Sequence, residues 1–144
     1  MSAFVFGLLV LQALLGVYQL SCVSHGFNST DDLGATRLPA PAVFLHMVDA
    51  VAGVLVWILW MNTGFHGFAW AGFIIFAFDL LVGGSLGART FGKPGYVSVP
   101  SGADGAAVQV GVAEQTIPTA VLVLHGVSAV AIVVLSLGVA LSWF

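Results

Sequence analysis

The sequence predicts an all-α integral membrane protein whose single domain, residues 1–144, contains four transmembrane helices. Three observations carry this reading. The chain is 60% hydrophobic and only 6% charged, far from the roughly 25% charged residues of soluble domains. Its charges are segregated, since no Asp, Glu, Lys or Arg occurs in 1–30, 50–78 or 115–144. Polar, Gly-containing and Pro-containing connections then divide the chain into apolar runs, each near the roughly 20 residues that cross a bilayer core. A soluble core helix can be this apolar, but four in succession leave too little polar surface to cover them.

Span one covers residues 3–22, with Gln12 near its middle and Gly16 after it. A basic leader is missing, and Gln19-Leu20-Ser21-Cys22 fits a small-residue cleavage site poorly. The segment therefore reads as a retained helix instead of a removed signal. Residues 23–40 form a polar connection containing Asp31-Asp32 and a weak formal glycosylation acceptor, Asn28-Ser29-Thr30. Pro39 and Pro41 open span two, where a missing N–H is harmless, and it runs over 41–61. Asn62-Thr63-Gly64 is a tight turn, and span three runs over 65–88.

The 89–115 connection is rich in Gly and Pro and longer than a reversal needs, which suggests a covering or contacting role. Within it, Val97–Val99 and Ala106–Val112 have the composition of short strands. Span four starts near Pro118 and continues to about Ser142. Four spans put both termini and the 62–64 turn on one side, with 23–40 and 89–115 on the other. Trp57, Trp60, Trp70 and Trp143 map to the terminal side as an interfacial girdle. Arg37, Arg89 and Lys93 lie on the loop side, which places the loops in the cytoplasm and the termini outside, in a bacterial or archaeal cell membrane.

An internal echo organises the chain. Leu45-His46-Met47-Val48-Asp49-Ala50-Val51-Ala52-Gly53-Val54 and Leu124-His125-Gly126-Val127-Ser128-Ala129-Val130-Ala131-Ile132-Val133 share L-H-x-V-x-A-V-A-x-V without a gap. A weaker echo, Gln12 to Gly16 and Asp79 to Gly83, places a polar residue four before a glycine. Spans one–two and three–four thus read as tandem helical hairpins about an axis normal to the membrane. The competing reading is that small and branched residues recur in any membrane bundle.

A polar side chain in hydrocarbon is costly without a partner. His46 lies about 8 Å inside span two, His125 about 10 Å inside span four and Asp79 about 14 Å from the end of span three. With Gln12 and Asp49, these residues are expected to converge in one leaflet as a buried polar or proton-transfer cluster. A packing network that fixes helix register is the bland alternative, favoured for Gln12.

Two imidazoles at matched depth suit axial ligation of one b-type haem. Ala50, Ala52, Gly53, Gly126, Ala129 and Ala131 would leave room for it, and Arg37, Arg89 and Lys93 would meet its propionates. The expected activity is electron transfer by a subunit of a larger membrane complex or a homo-oligomer, with a quinone as one candidate partner. An independent enzyme is disfavoured, and no catalytic residue set is identified. The alternatives are an accessory or assembly subunit, a small proton-coupled transporter, or a metal site on His46 and His125.

Other chemistries find little support. Cys22 is alone, so there is neither a disulfide framework nor a covalent haem attachment motif. No nucleophile elbow accompanies the serines. The 83–89 segment lacks the phosphate-loop lysine, so Gly83 and Gly87 read as helix-packing positions. A net charge of −3 with three basic residues excludes a nucleic-acid face. His25 and His66 read as surface or interfacial residues.

Overall fold

The computed structural model describes residues 2–28, 33–101 and 106–143. Its elements in order are α1 (Ser2–Asn28), β1 (Leu33–Ala35), α2 (Ala40–Thr63), α3 (His66–Thr90), β2 (Tyr96–Ser101), β3 (Ala106–Val112), a 3-10 turn (Ala113–Thr116) and α4 (Thr119–Ala140). All four helices are long and apolar enough to cross a membrane. They bury little against one another. Leu81, Phe44 and Val17 stand about two-thirds exposed, as a lipid-facing exterior requires.

The helix limits follow local chemistry. Pro39 caps α2 and Pro41 sits in its first turn, while Pro118 caps α4. Gly64, at φ 64°, ends α2 by donating its N–H to Trp60 O, a left-handed position that glycine takes without steric cost. α1 continues to Asn28, past the end expected from hydropathy. Ser21 and Ser24 hydroxyls bond back to Tyr18 and Leu20 carbonyls, and His25 Nδ1 to Ser21 O, so polar residues extend the helix beyond the apolar run. Asp31-Asp32 and the centre of the Asn28-Ser29-Thr30 acceptor lie outside the described residues.

Both expected strands form, as an antiparallel pair from Tyr96↔Gly111 to Ser101↔Ala106. β1, unread in the sequence, adds in parallel to β3, giving the order β1-β3-β2. This small sheet and the 3-10 turn form a cap over the loop-side end of the bundle.

α2 packs chiefly on α3, α3 also on α4, and α4 on α1, with sparser contact between α1 and α2. The two histidine helices, α2 and α4, therefore face each other across the bundle. The densest packing lies in its terminal half, where Val5, Leu9, Trp57, Ala69, Phe76, Ile132, Val139 and Ala140 form the core. Trp57 is fully buried and donates Nε1–H to Ser2 O at 3.3 Å, so it belongs to this core and not to the girdle. Trp70 and Trp143, at 40% and 66% exposed, do fit an interfacial belt. Gly53 is filled by the Phe76 ring, and Gly126 has nothing within 4 Å of a Cβ position. Neither opens space between the helices, because one is packed solid and the other faces outward.

Candidate functional site

The loop-side half of the bundle is organised by the two echoed histidines. Each lies six residues past the first residue of its helix, about 9 Å inward. Their ring centroids are 6.1 Å apart and their planes cross at 75°. His46 Nδ1 meets Asp79 Oδ1 at 2.5 Å, with the two side chains 24% and 16% exposed. With the carboxylate accepting, Nδ1 carries the bonded proton, and Nε2 is the ring nitrogen left outside this bond. His125 Nδ1 is buried without a partner.

Glycines complete the arrangement. A Cβ on Gly83 would lie 2.8 Å from His46 Cε1, and one on Gly16 would lie 3.7 Å from His125 Cε1. α3 thus presents bare backbone to the α2 histidine, and α1 does so to the α4 histidine. Exchanging the hairpins, α1 with α3 and α2 with α4, turns one contact into the other. The weaker echo has the same physical meaning. Asp79 and Gly83, four apart, serve His46, whereas Gln12 and Gly16 lie beside Ser128 and His125.

The halves differ in one respect. Gln12 Oε1 accepts from Ser128 Oγ at 2.5 Å and does not serve the His125 ring as Asp79 serves His46. Ser128 takes the place of Asp49 in the echo, so the Gln12–Ser128 bond lies one turn deeper. Asp49 itself has a buried Oδ2 without a partner. The expected five-residue cluster is therefore two adjacent pairs, His46–Asp79 and Gln12–Ser128, with His125 between them and Asp49 outside either bond. Among the described residues no group of three or more His, Cys, Asp or Glu is placed to hold a metal ion. The simple metal-site reading lacks the ligand number it needs.

The expected cationic residues separate. Arg37 and Lys93 line a cavity of about 470 Å³ between the cap and the ends of α3 and α4, whereas Arg89 is exposed and does not line it. Gly83 receives the His46 ring, while a Cβ on Gly87 would meet nothing within 4 Å. The glycine pair therefore has one internal role and one open position. His25 is exposed on α1, and exposed His66 touches Ser142 Oγ at 3.2 Å and the Trp60 ring at 5.2 Å, on the terminal side.

Sequence reasoning missed Glu114. It is 2% exposed, and its Oε1 accepts from Thr36 Oγ1 at 2.9 Å and Arg37 N–H at 2.5 Å. Arg37 Nη2 also donates to Tyr96 O. One carboxylate thereby ties the connection before α2 to the cap. The only signal was an acid set among apolar neighbours, Val112-Ala113-Glu114 and Ile117. No protein-family model, curated protein or solved structure matches the chain.

Proposed function

We propose that the chain is a small membrane electron-transfer subunit that holds one b-type haem between His46 and His125. The observation that carries this reading is the separation of the two rings. Two metal–imidazole bonds of about 2.0 Å, plus about 1.1 Å from each nitrogen to its ring centre, call for centroids about 6 Å apart. The observed 6.1 Å agrees.

The surroundings suit the same use. Asp79 fixes the His46 ring and raises its basicity as a ligand. Gly16 and Gly83 keep side chains away from both rings, and the solid core lies in the other half of the bundle. Bound haem supplies one-electron chemistry. The protein supplies two axial nitrogens, their orientation and a low-dielectric setting. Electrons would pass to a membrane-soluble carrier such as a quinone or to a larger membrane subunit.

Purification in mild detergent followed by reduced-minus-oxidised visible spectroscopy tests this reading. The expected result is a b-type difference spectrum at about one haem per chain, its low-spin ligation disrupted in His46→Ala and His125→Ala and unchanged in His25→Ala. Haem-free protein after reconstitution would refute it, leaving the His46–Asp79 pair as a proton-carrying or register-fixing element.

A further inference from the structure

We propose that the cavity between the cap and the loop-side ends of α3 and α4 binds a phosphate-bearing headgroup, supplied by phospholipid of the surrounding leaflet. The cavity measures about 470 Å³, and Arg37 and Lys93 line it. These are two of only three basic residues in the chain. With so few cations available, it is notable that one cavity lining holds two of them.

The first turn of α4 adds to it. Thr119 and Leu122 line the same space, and Pro118 provides no side-chain cap for the helix. The leading N–H groups and the positive end of a 22-residue helix therefore face the cavity region. Glu114 also belongs to the wall, but its Oε1 is engaged by Thr36 and Arg37 and its Oε2 is closed off from the cavity. The groups left to meet a ligand there are the two cations and the helix end. Val112, Ile117 and Leu122 line it beside the polar Thr90 and Gln115, a mixed wall suited to the boundary between headgroup and acyl chain. The cavity lies where α3 ends and α4 begins, which is headgroup depth for helices that span a bilayer. This inference does not depend on haem.

Native mass spectrometry of the detergent-purified chain, offered phosphatidylglycerol and phosphatidylcholine together, tests it. One phosphatidylglycerol should be retained in preference to phosphatidylcholine, whose quaternary ammonium would face Arg37 and Lys93. Lys93→Gln and Arg37→Gln should each weaken retention about tenfold, while Lys93→Arg restores it. Arg37 also bonds the cap, so Lys93→Gln isolates charge from folding. Arg89→Gln, on the same side but outside the cavity, should change nothing. An equal loss in Arg89→Gln would reduce the effect to general attraction and overturn the proposal. So would equal retention of the two lipids, displacement by millimolar inorganic phosphate, which would make free anion the ligand, or displacement on haem loading, which would assign the cations to propionates.

Discussion

Replacing Gly83 by alanine tests the site's geometry through one added carbon. The new Cβ would sit 2.8 Å from His46 Cε1, whereas ordinary contact begins near 3.4 Å. The ring must therefore retreat by roughly 0.6 Å, or α3 must move away from α2. Retreat is opposed by the 2.5 Å bond to Asp79. Overpacking of this kind costs about 1–3 kcal/mol, partly offset by the gain of up to about 1 kcal/mol from replacing a helical glycine with alanine. A net loss of about 1–2 kcal/mol is expected in reversible detergent unfolding. Gly87→Ala, with nothing within 4 Å, should be neutral or stabilising by up to about 1 kcal/mol. Gly16→Ala should be tolerated, because 3.7 Å is an ordinary contact. In haem-loaded protein, Gly83→Ala should also perturb the spectrum while Gly87→Ala does not. Equal behaviour of Gly83→Ala and Gly87→Ala would refute the placement of His46 against α3.

Asp79→Asn keeps an acceptor for His46 Nδ1–H and should retain haem with a raised midpoint potential, because the ligand becomes less basic. Asp79→Leu removes the acceptor and should lower haem occupancy; redox titration and haem content check both. Glu114→Ala should speed amide exchange at Arg37, whose N–H loses its acceptor, whereas Glu114→Gln should preserve protection. Trp57→Ala should destabilise by about 3–5 kcal/mol as a fully buried ring is lost. Trp70→Ala, 40% exposed, should cost well under 1 kcal/mol, and unfolding curves compare the two.

Sequence carried the bundle because apolar span length is a direct bilayer requirement, and the proline and glycine breaks coincide with real helix ends. It carried the histidine pairing because equivalent positions on parallel helices share a depth. The weaker echo gained its physical meaning only in three dimensions. Four residues from Asp79 to Gly83 let one helix offer both an acceptor and bare backbone to His46. The asymmetry at Gln12 was invisible because an amide suits either Ser128 or an imidazole, and only rotamer and helix position decide. Trp57 was misplaced because its sequence position relative to the turn says nothing of which side of α2 faces the core. Glu114 stayed hidden because its partners, Thr36 and Arg37, lie far away in the chain and meet it only once β1 has joined the sheet.

Electron paramagnetic resonance of the oxidised, haem-loaded protein reads the proposed pairing of His46 and His125 on one iron. Two histidines on one iron, with ring planes crossing at 75°, give a strongly anisotropic low-spin ferric signal, which His46→Ala or His125→Ala converts to a high-spin one. A high-spin signal in the unmodified chain, or one indifferent to both substitutions, would rule out a haem held between these two histidines.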